Sequence, residues 1–487
     1  MASVTDAPVL TVRDVALFER DVRLRMPFRF GVVTMTGAPQ LFARVRIALP
    51  DGREGTGVAA EMLGAKWFDK NLALTHEQNY EQLRLAVALA RDAYLGARRP
   101  TTAFGLFAGN YAAQIEEGAR RGLNSLVASY GPALLDRAIL DALCRIHGIS
   151  FYEAVRRNAP GIVADDLAPD LGNFNVPAFL SGLQAAQSIY ARHTVGLVDA
   201  ITAADQPDGP QVRDGLPETL EQVVAFYGCR YFKLKVGGDV AADVERLSRI
   251  ASVLDRIGGP YFASLDGNEQ YADADGLLAL WDAMERTPAL ARLMRSILFI
   301  EQPIARAHAF DKDIGRLSAK RPVIIDESDG DLDAYVRARA KGYRGVSSKT
   351  CKGFYKSLLN AARCAQWNRA SGGARYFMSA EDLTTQAGVS VQQDLALVNL
   401  LGLTHVERNG HHYVNGLAAV PVAEQSAFLA AHPDLYRWQD GVVRLRIDDG
   451  RLALGSLACA GFAVAAVPDW NAMRPMPAPP ERVQAAE

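Results

Sequence analysis

Histidine and cysteine are scarce in this chain, eight and five among 487 residues. The cysteines (Cys144, Cys229, Cys351, Cys364 and Cys459) are odd in number, scattered, and contain no CxxC pair. That argues against a disulfide framework or a cysteine-built zinc site and fits reduced thiols in a cytosol. Only His411 and His412 are adjacent, and neighbours on a strand point to opposite faces, so they make a poor chelating pair. Charge of one sign is not in excess either. Lys plus Arg is 53 against 55 for Asp plus Glu, a formal net charge of -2. No global basic field exists to hold nucleic acid or an anionic membrane. The nearly uncharged stretch at 457–468 is too short for a bilayer, which needs about 20 residues. The opening MASVTDAPVLTVRD has no basic segment followed by an apolar core, so no secretory signal and a cytoplasmic location are expected.

Apolar residues make up 49% and charged residues 22% of the chain, an ordinary balance for a folded protein. The length predicts at least two structural units. Apolar alternation at 21–26 and 41–49, closed by the Pro50-Asp51-Gly52 turn, predicts strands. From about 75 to 157 the period becomes helical, best at 131–147, where Leu134, Leu135, Ala138, Ile139, Ala142, Leu143 and Ile146 share a face. Gly148 should end that helix, and Ser150 with Glu153 should cap the next. A stretch rich in Pro, Gly, Asp and Asn at 158–177 reads as a junction. Beyond it, short apolar strands alternate with helices: strands near 190–198, 231–236, 261–266, 297–301, 322–326, 345–349, 375–379 and 404–406. Eight strand–helix steps predict a parallel barrel. The segment 203–217 reads as a long mobile loop. Residues 442–467 return to strand patterning around the Asp448-Asp449-Gly450 turn and should rejoin the N-terminal unit. The PMPAPPERVQAAE end reads as disordered.

Charged groups stand where these strands should end. Lys233 and Lys235 close one (YFKLKVGG), Asp266 the next (FASLDGNEQ), then Glu301 (ILFIEQP), Asp326 (VIIDES) and Lys349 (GVSSKTCKG). Each follows an apolar run, and a buried charge is costly unless paired or metal-bound. Catalytic groups of eight-stranded barrels lie at those strand ends. Three carboxylates from successive strands suit one hard divalent cation such as magnesium. Without a cation they would repel, and some would protonate. Lys233 and Lys235, two apart on a strand, both point inward. Near a cation and each other, such amines should fall from about 10.4 toward the range of a general base. Lys349 approaches from the opposite side. Two lysines facing across a substrate can remove a proton on one face and return it on the other.

The order KxK, D, E, D, K resembles the enolase superfamily, specifically its muconate-lactonizing subgroup within the mandelate racemase/muconate lactonizing family. ALLDRAILDALCRIHGISFYEAV resembles the helical cap segment ahead of the barrel. LPETLEQVVAFYGCRYFKLKVGGD, SLDGNEQY, FIEQPI, IIDES, SSKTCKG and SAEDLTTQAG follow in family order. The resemblance implies an α/β fold, a modified TIM barrel (β/α)7β with an α+β capping domain made from both chain ends. It implies magnesium, replaceable by manganese, on Asp266, Glu301 and Asp326, with Lys235 and Lys349 as opposed bases and Lys233 stabilising the enolate oxygen. The implied chemistry is abstraction of the proton alpha to a carboxylate, with racemisation, epimerisation or cycloisomerisation as the outcome. The implied partners are a small carboxylate substrate and further copies in a homo-oligomer. The expected domains are a cap at 1–160, a barrel at 161–437 and a returning segment at 438–487.

Asn268 faces the same way as Asp266 and could orient a metal-bound water. Glu327 points away unless its strand has already ended, and a lysine outside the mouth is its expected partner. Glu381 and Asp382 are expected substrate contacts. Lys352 rivals Lys349 but stands at a helix start. Cys351, His193, His405, His411 and His412 read as packing or rim residues. Phe28, Phe30 and Trp67 lie in cap segments that cover the mouth in the family. The chain departs from the amino-acid and dipeptide epimerases of the subgroup. Their eighth strand carries DxD, whereas THVERNGHH here offers only Glu407 as an acid. A syn-dehydratase on an acid sugar or succinylbenzoate-like substrate is the nearest rival. A metal-free Schiff-base barrel and a non-catalytic barrel retained for assembly are the rivals of other classes.

Overall fold

The computed structural model describes residues 7–30, 33–164, 167–206 and 212–483. An antiparallel meander opens the chain: β1 (Val9–Phe30), β2 (Val33–Ala48) and β3 (Glu54–Met62). β1 and β2 pair along most of their length, with register breaks between Val12 and Asp14 and between Arg23 and Phe28. A two-residue strand, β4 (Thr101–Thr102), pairs with the start of β1. Helices His76–Gly96, Ala103–Arg120 and Ser125–His147 follow. The last is buried along nearly its whole length. It ends at Gly148, which takes the left-handed conformation at φ 62°, and Ser150 with Glu153 caps the next helix as the sequence predicts. The helix lies directly on β3. A Cβ at Gly57 would stand 2.1 Å from Ala138 O, so only glycine allows this approach.

Eight parallel strands follow among the described residues: β5 (Ser188–Val195), β6 (Tyr231–Lys235), β7 (Phe262–Asp266), β8 (Ile297–Glu301), β9 (Val323–Ile325), β10 (Gly345–Ser348), β11 (Phe377–Ala380) and β12 (His405–Arg408). Each pairs with the next, and β12 pairs with β5, closing a barrel. Helices separate the strands in the (β/α)7β manner. The short apolar runs predicted these strands because a strand buried on both faces reads as continuous hydrophobicity.

The chain end departs from its sequence reading. Strand patterning was expected through 442–467. The observed strands are β13 (Tyr436–Gln439), paired with β14 (Val442–Leu445), and β15 (Arg451–Ala453), which adds antiparallel to β5. Past Ala453 no strand forms until β16, because Leu457 and Phe462 are buried as packing residues instead. Phe462 stacks on Phe151 with centroids 3.8 Å apart. β16 (Arg474–Pro475) then pairs with β1 at Phe18 and Glu19. The expected disorder of the final segment does not hold through Val483. Met476 N donates to Leu17 O at 3.0 Å, and the Arg121 guanidinium donates to Glu481 O at 2.9 Å. Residues 484–487 lie outside the described residues. The loop expected at 203–217 is pinned on both flanks. Asp205 accepts from Thr202 N, and Asp214 is gripped by Arg25. Residues 207–211 lie outside the described residues.

Candidate active site

The parallel register sets the site level by level. Lys235 pairs with Asp266, and Asp266 pairs with Glu301, so three charged ends stand side by side on β6, β7 and β8. Glu301 pairs with Ile324, which places Asp326 two residues higher, just past the end of β9. Lys349 follows β10 directly. Lys233, Lys235, Asp266, Glu301, Asp326 and Lys349 are all buried.

The three carboxylates do not close round a common point. Among the described residues, no group of three His, Cys, Asp or Glu side chains is placed to hold a metal ion. Lysines stand between the acids instead. Lys233 Nζ lies 2.8 Å from Asp266, 2.7 Å from Glu301 and 2.9 Å from both Glu381 and Glu407. Lys235 Nζ donates to Asp266 at 2.5 Å, and Lys349 Nζ to Asp326 at 2.6 Å. Like charges crowded in a dry interior need counter-charge at contact, and the ammonium groups supply it. The donor chemistry nevertheless suits a hard cation. Every acidic donor is a carboxylate oxygen, and Glu301 Oε2 and Asn268 Oδ1 are buried without a hydrogen-bond partner.

Lys233 titrates opposite to the sequence expectation. Burial works against the Lys233 ammonium, but Asp266, Glu301, Glu381 and Glu407 outweigh it and hold its pKa well above the ordinary lysine value. Burial likewise opposes the Lys349 charge, and Asp326 overcomes it, so Lys349 is also raised. The depression expected of Lys233 is overridden because four carboxylates stand within 2.9 Å of its amine. Glu301 is pushed well up by burial together with Asp266 and Glu381. Asp326 is held low because Lys349 and Lys352 overcome its burial.

Lys233, Lys235, Asn268, Asp326, Lys349 and Asp382 line one cavity, and Asp266, Glu301, Glu327 and Glu381 lie outside its lining. Glu381 is bound by Arg192, Ser379 and Lys233. Asp382 accepts from Thr385 N and Asn409 N, both at 2.9 Å, so its carboxylate pins two loops. Glu327 lies beyond the end of β9, as one of its two sequence alternatives required. It accepts from Asn268 Nδ2 at 3.1 Å and stands 3.7 Å from Lys70 of the cap. Lys352 sits behind Lys349, donating to Ser347 Oγ at 2.6 Å and pairing with Asp329 at 3.0 Å. The cavity holds about 30 Å³, room for about two waters. Phe28, Phe30, Met35, Met62, Trp67 and Leu383 cover it. Trp67 lies flat against the amine of Lys349, with Nζ 4.1 Å from the ring centroid. A larger hollow of about 530 Å³ between β1 and the 386–389 and 414–420 loops contains none of the strand-end lysines or acids.

Several site residues escaped the sequence reading. Gln302 follows Glu301 at φ 31°, and its Oε1 accepts from Asp326 N at 2.8 Å and Ser328 N at 3.0 Å. Its signal was the EQP tripeptide, of which only the acid attracted notice. Asn268 and Glu269, just after Asp266, are also left-handed at 41° and 68°. Such strained backbone clusters at functional sites. Lys70 donates to Asn268 O at 2.8 Å and pairs with Glu269 at 2.6 Å, and nothing local in sequence marks it. His193, His411 and His412 are buried, and burial holds all three below the usual imidazole value.

Residues 215–454 match the family model described as enolase C-terminal domain-like. No curated protein sequence matches the chain. Solved structures share the architecture over nearly the whole length. A muconate lactonizing enzyme from Pseudomonas fluorescens, complexed with muconolactone, is 18% identical with a TM-score of 0.58, covering 95% of this chain and 98% of its own. A dipeptide epimerase from Enterococcus faecalis, complexed with magnesium and L-Leu-L-Tyr, is 15% identical with a TM-score of 0.58, covering 93% and 99%. An enolase from Bradyrhizobium, complexed with magnesium and mandelic acid, is 17% identical with a TM-score of 0.55, covering 94% and 96%. At these identities the likeness is one of fold. The barrel segment 215–454 is thus an enolase C-terminal domain-like region, and the cap-plus-barrel architecture is the one these structures share.

Proposed function

We propose that the protein removes the proton alpha to the carboxylate of a small substrate, giving racemisation, epimerisation or cycloisomerisation. The observation that carries this reading is the placement of Lys235 and Lys349. Lys235 ends β6 and Lys349 follows β10, strands four steps apart in a ring of eight and so on opposite sides, and both line one buried cavity. Lys235 takes the proton from one face of the substrate carbon, and Lys349 delivers one to the other. Asp266 and Asp326 hold these two amines in place. Lys233 stays protonated among its four carboxylates and presents its charge to the enolate oxygen. A magnesium ion held by Asp266, Glu301 and Asp326, with manganese able to substitute, would supply the charge that stabilises the substrate carboxylate as it becomes a dianion. The unpartnered Glu301 Oε2 supports that ligand set. Asn268, tied to Glu327, borders it, while Glu381 secures Lys233 and Asp382 secures the rim.

The test is exchange of the alpha proton in deuterium oxide over a carboxylate library with magnesium present. Lys235→Ala and Lys349→Ala should each lose turnover by about 10²–10⁴ yet still exchange the proton of one enantiomer. A chelator should abolish exchange. If neither lysine is needed for any exchange, the two-base reading is wrong. If one lysine suffices and the product has lost water, the reaction is a syn-dehydration.

A further inference from the structure

We propose that the substrate of this site carries an apolar group beyond its carboxylate, and neither an ammonium group nor a row of hydroxyls. The inference rests on the proposed alpha-proton chemistry and adds the substrate class to it. The cavity has two unlike halves. Its floor is Lys233, Lys235, Asp326, Lys349, Asp382 and Glu407. Its cover is Phe28, Phe30, Met35, Met62, Trp67 and Leu383, all buried. A substrate whose carboxylate meets the floor must lay the rest of itself against that cover.

The acids that could grip a positive or hydroxylated tail are already engaged. Glu407 accepts from Lys233 and Asp382 N and, at 2.6 Å, from Thr194 Oγ1. Asp382 is held by Thr385, Arg408 and Asn409 N. Asp326 is shared by Lys349, Ser347 and Lys352. Above the floor, the buried unpartnered oxygens among the described lining residues are Asn268 Oδ1 and Asn409 Oδ1, two neutral amide acceptors and no carboxylate. An ammonium group placed here would lose its water without a free carboxylate, and each hydroxyl laid on the aromatic cover would lose a hydrogen bond. An apolar tail loses nothing of the kind and gains by leaving water.

Two readouts test this. The first is kcat/KM for alpha-proton exchange on 2-phenylpropanoate, gluconate and L-alanyl-L-alanine, in the wild type and in Phe30→Ser and Leu383→Ser. The second is the melting shift produced by each compound, which needs no chemistry. The wild type should favour 2-phenylpropanoate over the other two by about 10², and each lid variant should shrink that ratio about tenfold. Intrinsic differences in proton acidity cancel between variants. Preference for gluconate or the dipeptide, or a ratio unchanged in both variants, overturns the inference while leaving the alpha-proton reaction standing. Absence of exchange with every carboxylate overturns the reaction. In that case a melting shift from 2-phenylpropanoate but not gluconate still upholds the apolar site, and equal or absent shifts remove it.

Discussion

At Gln302 the backbone turns left-handed one residue after Glu301, and the amide side chain reaches the neighbouring strand end. It carries no charge, yet its Oε1 holds Asp326 N and Ser328 N, while its Nε2 donates to Ile304 O and to Ser328 Oγ. Gln302→Ala would leave those buried N–H groups without acceptors, at about 1–3 kcal/mol for each. The expected outcome is a lower urea midpoint together with slower proton exchange, since Asp326 loses the backbone anchor that aims it at Lys349. A variant as stable and as fast as the wild type would show that Asp326 is held by its lysines alone. The residue scale is also where the sequence was least legible. FIEQPI names the acid because charge after an apolar run is conspicuous, whereas a buried amide serving a strand two dozen residues away has no local mark.

Among the elements, β3 and the helix Ser125–His147 show how closely the cap is packed. A Cβ at Gly57 would meet Ala138 O at 2.1 Å and Ala142 N at 2.3 Å, both backbone atoms that cannot swing aside. Gly57→Ala should therefore destabilise the protein by about 1–3 kcal/mol or more, seen as a lower melting temperature in calorimetry. A melting temperature equal to that of the wild type would mean that the helix can slide off the strand. The helix itself was legible, because a 3.6-residue period and a glycine stop are local signals. From β6 to β12 the strand ends were legible to within a residue or two, and the end of β5 to within three. β9 shows the cost of that margin. It stops at Ile325, so Asp326 and Glu327 both lie past the pleat, and strand alternation no longer decides where Glu327 points.

On the scale of the whole molecule, cap and barrel are joined by many polar contacts, from Arg20 to Glu424, from Thr350 to Glu61 and from Arg306 to the carbonyls of Trp67 and Phe68. Arg25 of β1 clamps Asp214 through two bonds, at 2.6 and 2.7 Å, and donates to His412 O at 2.8 Å. Burial would raise the Asp214 pKa, but Arg25 overcomes it and holds the carboxyl below its usual value. A carboxylate lowered in the folded state adds stability above its unfolded pKa, near 3.9, and that stability is lost as the pH falls through the folded value. Wild type should thus melt above Asp214→Asn at pH 7, and the gap should close as the pH is taken below about 4. A gap constant across that range would show that shape, not charge, makes the contact.

Composition and periodicity alone were enough to order the elements as an opening run of strands, a helical stretch and an eight-strand barrel, and to put lysine, three acids and lysine at or just past successive strand ends. Those features follow from local rules: apolar runs form strands, and charge ends them. Only the tertiary structure decided which amine meets which carboxylate, that Trp67 lies over Lys349, and that the acids guarding the cavity are already engaged. These contacts join residues dozens to hundreds of positions apart, and their strength depends on burial and distance, neither of which a linear pattern records.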